Sequence, residues 1–314
     1  SGVPAMKNDG GLYVCSGTMA YEGASHPRYN AWEAVFDSAT GALVKYTLDG
    51  RDLLEEPLMP CFARAANEND LGARFDKVQN LWRSASFDVT LFEVTAADNS
   101  YMVAVEYAPI GETALVKMTY NIYADGTVEA VEALTDAGKL AEAPILPRFG
   151  MHFAMPGLFS NLEYFGFGPH ENYIDRNSSA LIGHYVQRVE DQYHYGYARP
   201  QESGTKTSVK WMKVLDDNGT GFEIRSDVKF SASALPFSWE QMDVRKIGTN
   251  QAHSLELKAL AHEDDRSLGK TWVNLDLVQQ GLGCVNSWGA WPKKEHRIYP
   301  QPYFFHFVLK PVNN

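Results

Sequence analysis

The sequence predicts an all-β protein, organised as one large antiparallel domain of two packed sheets. Apolar and polar residues alternate with period two in several segments, and Asp-Gly or similar turn residues separate those segments. Helical periodicity is weak, and residues 238–244 predict at most one turn of helix. No internal repeat or low-complexity linker divides the 314 residues. All-β folds often exceed about 200 residues as one unit, so one domain is the simplest expectation.

The first predicted strands form a hairpin near the N-terminus. Residues 32–36 lead into the turn 37–41, and residues 43–48 lead into Asp49-Gly50. Both turns contain residues that tolerate the positive φ of tight hairpins. Before them, residues 1–10 are polar and contain glycine, which predicts a disordered segment, a linker or a tag. The single domain is therefore predicted to occupy residues 11–314.

The clearest hairpin lies further along the chain. Apolar and polar side chains alternate over residues 116–122, Asp125-Gly126 turns the chain, and residues 127–131 return. Alternation around Asp-Gly is a strong short-range signal for paired strands.

Three later segments continue the β pattern. Residues 209–214 and 222–224 flank a turn at 216–219, and residues 272–277 alternate cleanly. Residues 303–309 are apolar on both faces, which predicts a strand buried on both sides.

Composition excludes several classes of partner. The net charge of −11 and pI near 5.3, without any run of Lys or Arg, argue against nucleic acid and anionic membrane surfaces. No apolar stretch approaches the ~18–20 residues of a membrane helix. The first residues lack a signal-peptide pattern, which leaves the compartment open between cytoplasm and periplasm. Cys15, Cys61 and Cys284 lie too far apart for a disulfide framework or zinc motif, so buried thiols are expected.

The most informative stretch is Tyr164 to Arg176, where aromatic residues alternate with glycines until Pro169. A strand that feeds a rigid polar loop would give this pattern, since proline restricts φ and glycine allows close backbone approach. The polar or aromatic residues after the proline are His170, Glu171, Asn172, Tyr173, Asp175 and Arg176. They either form a binding loop or satisfy one another in a tight turn.

Several kinds of chemistry lack support. Residues 166–171 do not form a phosphate-binding loop, because the third glycine is absent and proline has no N–H. The nine histidines are scattered without metal-ligand spacing, so no metal or cofactor is expected. There is no Gly-x-Ser-x-Gly elbow, and a catalytic pair of carboxylates cannot be chosen from 39 acids by sequence.

Sugar binding fits the residues better. It requires aromatic faces for the apolar CH surfaces of a sugar and planar polar groups for its hydroxyls. The loop after Pro169 offers both, and so does the stretch 281–292, where Trp288 stands among small, turn-forming residues. Trp288 is either exposed for a ligand or packed beneath its own loop.

Six blocks of sequence carry a resemblance to a known family. They are Arg64–Gly72, Leu146–Gly150, Gly166–Tyr173, Asp175-Arg176, Arg199–Gly204, and Gly281–Gly283 with Ser287–Gly289. Together, over about Phe36 to Pro311, the chain resembles the C-terminal, small-chain domain of the large β-galactosidases of glycoside hydrolase family 2.

The resemblance implies a large antiparallel β super-sandwich of the galactose mutarotase type. It also implies a TIM-barrel catalytic domain or subunit as partner, whose two glutamates hydrolyse terminal β-galactosides with retention. The chain itself would then hold no catalytic residue and no cofactor, and would form a homo-oligomer only through the full enzyme.

The resemblance further implies which residues meet the sugar. Trp288 would face the leaving-group sugar, and His170, Glu171 and Asn172 are further candidate sugar contacts. The pocket-rim loop would comprise Gly168, Pro169, Tyr173, Asp175 and Arg176, with Gly168 giving the loop freedom to move. Glu171, Asn172, Asp175 and Arg176 would chiefly hold this loop together. Cys284-Val285 depart from the Asp or Gly common in the family, so polar contacts from those positions are not expected.

Two alternatives remain open at this stage. A free-standing aldose 1-epimerase would use His170 as general acid and Glu171 or Asp175 as general base. A carbohydrate-binding or assembly module would have no chemistry of its own. The preferred β-galactoside is not determined by the sequence.

Overall fold

A computed structural model describes residues 2–20, 29–243, 253–283, 285–286 and 288–313. The strands in these parts are β1 (Ala5–Asp9), β2 (Leu12–Ala20), β3 (Tyr29–Asp37), β4 (Ala42–Leu48), β5 (Arg51–Asp52), β6 (Glu56–Pro60), β7 (Val89–Ala96), β8 (Ser100–Tyr107), β9 (Ala114–Tyr123), β10 (Val128–Asp136), β11 (Arg148–Pro156), β12 (Asn161–Gly168), β13 (Leu181–Arg188), β14 (Lys206–Leu215), β15 (Gly221–Leu235), β16 (Lys270–Gln279) and β17 (Tyr303–Val312). The α-helices are α1 (Glu68–Gly72), α2 (Phe75–Val78), α3 (Asn80–Arg83) and α4 (Trp239–Met242). Short 3₁₀ helices span Leu140–Glu142, Val189–Asp191, Ser254–Ala261, Arg266–Leu268 and Lys294–His296.

The strands form two antiparallel layers that meet at the long strand β15. One layer runs β1-β2-β3-β4-β6-β11-β16-β15. The other runs β13-β12-β14-β15-β17-β10-β9-β8-β7. Residues 221–225 of β15 pair with β17, whereas residues 231–235 pair with β16, so one curled sheet supplies both layers. The predicted antiparallel super-sandwich is confirmed.

Aromatic side chains from the two layers pack together in the core. Phe36 of β3 meets Tyr120 of β9 with ring centroids 5.0 Å apart, and Tyr46 of β4 meets Phe222 of β15 at the same separation. The hydroxyl of Tyr46 donates to the carbonyl of Gly126 at 2.6 Å, within the Asp-Gly hairpin. The period-two alternation of β9 and β10 therefore places every second side chain in this core.

Three expectations from sequence differ from the structure. Residues 5–9, expected to be disordered, a linker or a tag, form β1 and pair along their length with β2. The segment 68–83 contains three short helices that periodicity missed, because helices of four or five residues are too short for a repeating pattern. β17 is not buried on both faces: Phe305 and Phe307 are buried, but Phe304 is 62% exposed.

Other expectations agree with the structure. α4 is the single helical turn expected after residue 238, although Val244 lies outside the described residues. Cys15 and Cys61 are buried free thiols, and burial raises the pKa of each to about 12. Cys284 lies outside the described residues. No helix in the described ranges has the length and apolar character needed to cross a membrane.

Candidate functional site

Trp288 lies on the loop that follows β16, and its side chain is 89% exposed. The side-chain oxygen of Asn286 accepts hydrogen bonds from the N–H groups of Trp288 (2.9 Å) and Ala290 (3.3 Å). This arrangement holds the backbone of the turn while the indole points into solvent. The alternative that Trp288 packs beneath its own loop is therefore wrong.

The Trp288 loop is pressed against the end of α1. A Cβ atom on Gly72 would lie 2.7 Å from the Cα of Gly289, and Gly289 has a φ of +82°. Only glycine at positions 72 and 289 permits such a close approach of the two backbones. Next to this contact, Trp291 packs against Phe75 with ring centroids 4.8 Å apart, and the guanidinium of Arg297 lies 5.1 Å from the centre of the Trp291 ring.

A buried ion pair contacts the start of the Trp288 loop. Arg64 donates to both carboxylate oxygens of Asp70, at 2.8 and 3.1 Å, and its Nη2 also donates to the carbonyl of Gly281 at 3.1 Å. The side-chain amide of Asn69 donates to the carbonyl of Gly283 at 2.9 Å. The block 64–72 thus holds the start of the Trp288 loop through side-chain contacts to its backbone.

Asp175 joins the two stretches that the sequence singled out. Its two carboxylate oxygens accept hydrogen bonds from the N–H groups of Leu282 and Gly283, each at 2.9 Å. A Cβ atom on Gly281 would lie 2.5 Å from the same carboxylate, so only glycine fits there. The rim loop and the Trp288 loop are therefore one connected unit.

Glu171 of the rim loop is the centre of a hydrogen-bond cluster whose other members include residues 197–204. Its carboxylate accepts from the Ser203 hydroxyl (2.8 Å), the Gly204 N–H (2.8 Å), Arg176 (2.5 Å) and the Tyr197 hydroxyl. Burial opposes ionisation of this carboxyl, but the donors and the Arg176 charge outweigh it and lower the pKa of Glu171. Glu171 is an ionised structural anchor, with its oxygens engaged by protein donors.

Asn172 is completely buried, and its amide is used within the protein. Its nitrogen donates to the carbonyls of Phe167 (3.0 Å) and His170 (3.1 Å). Its oxygen accepts from the backbone N–H of Thr207 (3.1 Å) and from the Thr207 hydroxyl. This geometry corrects the expectation of a sugar contact: the Asn172 amide anchors the loop instead.

Tyr173, Arg176 and Gly168 also have structural roles. Tyr173 is buried, and the Arg176 guanidinium lies 5.4 Å from the centre of its ring. A Cβ atom on Gly168 would lie 2.1 Å from the Tyr164 hydroxyl, so close packing explains this glycine better than the expected freedom to move. Pro169 is exposed, and its carbonyl accepts a hydrogen bond from Gln187 at 2.9 Å.

His170 is the exposed member of the predicted sugar contacts. Its Nε2 lies 3.1 Å from the Ser179 hydroxyl, and its ring lines a cleft of about 560 Å³ that Lys206 also lines. The epimerase alternative requires a carboxylate free to act as base beside this histidine. The oxygens of Glu171 and Asp175 already accept hydrogen bonds from protein donors, so the three side chains do not form an acid–base set.

Sequence reasoning missed the residues that support the loops. Arg64, Asn69 and Asp70 entered only as parts of a family block, without a role. Asn67 with Asp70 three positions later is a helix-capping pattern, and the capping box of α1 is present in the structure. That pattern could have indicated α1, but not its contact with a loop more than 200 residues away.

Comparisons with known proteins relate most of the chain to one family. A family model described as the β-galactosidase small chain matches residues 28–309. A β-galactosidase of Priestia megaterium is 30% identical over 282 residues, covering 89% of this chain and 26% of that protein. A β-galactosidase of Streptococcus thermophilus is 32% identical over 280 residues, covering 88% of this chain and 26% of that protein.

Among solved structures, a galactose 1-epimerase from Lactobacillus acidophilus aligns over 95% of this chain with a TM-score of 0.47 and 7% identity; it is itself covered to 99%. The chain spans about a quarter of the length of the curated relatives named above. The family match extends over most of the chain and includes both loops described here. The chain belongs to the β-galactosidase small-chain family.

Proposed function

We propose that this chain is the domain of a β-galactosidase that completes the sugar-binding pocket of a separate TIM-barrel catalytic part. The proposal is supported by membership of the small-chain family and by relatives about four times as long that are β-galactosidases. The observation that carries it is Trp288, an indole 89% exposed on a loop that is held firmly by its neighbours.

The order of the Trp288 loop lowers the free-energy cost of binding a sugar. Ordering a flexible side chain or loop at an interface costs free energy, and a loop that is already ordered avoids most of that cost. Asp175, Arg64 and the Gly72–Gly289 contact order this loop without a ligand. The backbone that carries the indole is therefore ordered before binding, and the indole offers an apolar face worth on the order of 1 kcal/mol beyond the area it buries.

Bond cleavage is assigned to the barrel and not to this chain. Retaining hydrolysis requires a pair of carboxyl groups beside the glycosidic bond, one as nucleophile and one as acid. In this chain the two carboxylates of the rim loop, Glu171 and Asp175, are held by protein donors. We expect the isolated chain to lack galactosidase activity.

The test is made in the complete enzyme that contains this chain. Trp288→Ala should weaken binding of the leaving-group or acceptor sugar several-fold, while cleavage of substrates with a small activated leaving group changes little. Trp288→Phe should recover part of the loss, because it keeps an aromatic face. Phe304→Ala, which removes an exposed aromatic ring from β17, is the matched control and should behave as wild type.

Three outcomes would overturn the proposal. Acceptor kinetics unaffected by Trp288→Ala would remove the indole from the sugar pocket. Failure of this chain to raise the β-galactosidase activity of the barrel part, when the two are mixed, would favour a carbohydrate-binding or assembly module. Anomerisation of galactose by the isolated chain, followed by NMR, would favour the epimerase alternative.

A further inference from the structure

Another pocket is lined by residues of β6, β11 and α4 and by Arg83 at the end of α3. It has a volume of about 230 Å³ and is lined by His152, Trp239, Glu240, Phe87, Arg83 and Met59, among others. Gly72 at the end of α1 contacts the Trp288 loop, whereas Arg83 at the end of α3 lines this pocket. Nothing in the function proposed above uses these residues.

His152 projects from the centre of β11. Its neighbours Met151 and Phe153 point into the core, so the alternation of the strand places His152 on the opposite face of the sheet. The centre of its imidazole lies 5.8 Å from the centre of the Trp272 ring. The imidazole makes no hydrogen bond to any residue in the described ranges. Burial lowers the pKa of His152, with Glu240 opposing and Arg148 reinforcing the shift, so the ring is neutral at pH 7.

Trp239 is held as a wall of the same pocket. It begins α4, whose capping box is formed by Ser238 and Gln241. The guanidinium of Arg83 lies 5.6 Å from the centre of the indole and is itself held by Asp243 at 2.7 Å. The capped helix α4 and the Arg83 guanidinium thus hold Trp239 in place, while its side chain remains partly exposed.

The polar groups of the pocket select among classes of ligand. Arg83 is paired with Asp243, so Glu240, which is exposed, is the carboxylate that lines the pocket without an ion-pair partner among the described residues. An anion would be repelled by Glu240, and a purely apolar ligand would leave the His152 imidazole without a partner. A cation over Trp239 would be repelled by the positive charge of Arg83, whose guanidinium carbon lies 5.6 Å from the centre of that ring.

A sugar ring satisfies all of these groups together. Its apolar CH face suits the partly exposed rings of Trp239 and Phe87, and its hydroxyls both donate and accept hydrogen bonds. A neutral imidazole has one donor and one acceptor nitrogen, and a carboxylate accepts from hydroxyls. The volume of about 230 Å³ is below the ~300–1,000 Å³ of drug-sized pockets, which suits one ring and not a chain of them.

We propose that this pocket binds a single neutral sugar ring, stacked on Trp239 and hydrogen-bonded by His152 and Glu240. The site is separate from the pocket completed by Trp288, and it needs no catalytic partner. It would allow the small-chain domain by itself to hold a free monosaccharide or the terminal residue of a saccharide.

The experiment uses the full chain with D-galactose as the probe and follows the tryptophan indole N–H signals by NMR. The Trp239 signal, assigned by its absence in Trp239→Phe, should shift with a roughly millimolar dissociation constant, as expected for one small ring. Trp239→Ala and Glu240→Gln should each weaken binding several-fold. Glu240 is exposed on the short helix α4, so its variant tests the site even if Trp239→Ala fails to fold.

Phe304→Ala is the matched control and should bind galactose as wild type does. The proposal is overturned if no indole signal shifts at galactose concentrations well above the expected dissociation constant. It is also overturned if only the Trp288 signal moves, or if Glu240→Gln binds with unchanged affinity. Because Trp288→Ala leaves this pocket intact, its effect on the complete enzyme tests the proposed function separately.

Discussion

The backbones of Gly72 and Gly289 touch, although the two residues lie far apart in the sequence. A Cβ atom on Gly72 would lie 2.7 Å from the Cα of Gly289, and a Cβ atom on Gly289 would lie 2.2 Å from the carbonyl carbon of Gly72. This contact seats the Trp288 loop on the end of α1. The position of the exposed indole therefore depends on two residues that have no side chain.

Gly289→Ala should displace the Trp288 loop and destabilise the fold. The substitution places a methyl group against the Gly72 backbone and also requires an alanine at a φ of +82°. A left-handed residue costs about 1–2 kcal/mol, and the clash adds to this cost. Urea unfolding measures the loss, and acceptor kinetics of the complete enzyme measure the displacement.

Gly50→Ala separates the two contributions. Gly50 has a φ of +76°, but a Cβ atom there would meet nothing within 4 Å. We expect only the conformational cost and normal acceptor kinetics for this control. Equal losses in the two variants would show that the Gly72–Gly289 contact contributes nothing.

Asp175→Asn should loosen the connection between the rim loop and the Trp288 loop. The amide keeps one acceptor oxygen, so only one of the N–H groups of Leu282 and Gly283 retains its partner. We expect a loss of about 1–3 kcal/mol in the free energy of unfolding, measured with urea. Asp125→Asn is the control, because Asp125 accepts within its own exposed turn, where asparagine serves equally well. A variant of Asp175 as stable as this control would contradict the role given to it.

Glu132→Gln should stabilise the protein at neutral pH. Glu132 is completely buried in β10, and neither of its oxygens has a hydrogen-bond partner among the described residues. Burial raises its pKa well above the ordinary value of 4.5, with Asp276 adding to the shift. The folded chain then binds a proton that the unfolded chain has lost, so stability falls as the pH rises above about 4.5.

The slope of this fall is about 1.4 kcal/mol per pH unit until the raised pKa of Glu132 is reached. Glutamine at this position removes the pH-dependent fall in stability. In thermal unfolding, the variant should therefore be as stable as wild type near pH 4 and more stable at pH 7. Glu93→Gln alters an exposed side chain and should leave the pH profile unchanged. Parallel profiles for wild type and Glu132→Gln would refute a buried, protonated Glu132.

Lys206→Met should also stabilise the chain, but with the opposite pH dependence. Burial lowers the pKa of Lys206 from 10.5 to about 8, against the attraction of Glu171. Between these two values the unfolded chain holds the extra proton, so wild-type stability rises with pH. At pH 7 the variant should gain up to about 3 kcal/mol, and the gain should shrink near pH 10.

Urea unfolding at the two pH values measures the gain for Lys206→Met. Lys229→Met, which changes an exposed lysine, should show no such gain. A lower stability of Lys206→Met at pH 7 would mean that the Lys206 charge is well compensated in the fold.

Local sequence patterns predicted several strands correctly. The strands around Asp125-Gly126 and the strand that ends before Pro169 appear in the structure as β9, β10 and β12. They were predictable because the alternation of a strand repeats every two residues and a turn involves only neighbouring residues. The burial of β17 was misjudged, since apolar residues do not report whether a second layer covers them.

The resemblance gave the polar residues of the rim loop a role, but it did not give their partners. Glu171, Asn172 and Asp175 were expected chiefly to hold the loop together, and all three bind protein groups. Their partners lie elsewhere in the chain: Leu282 is 107 residues from Asp175, and Gly204 is 33 residues from Glu171. Composition and spacing carry no information about such pairs.

By itself the sequence determined the all-β class, the hairpins and the family, because each depends on local periodicity or on short blocks of residues. Tertiary structure alone decided that Trp288 faces solvent while the polar loop beside it serves as its support. The physical reason is that burial and hydrogen bonding are set by whichever segments the fold brings together, and those segments are distant in the chain.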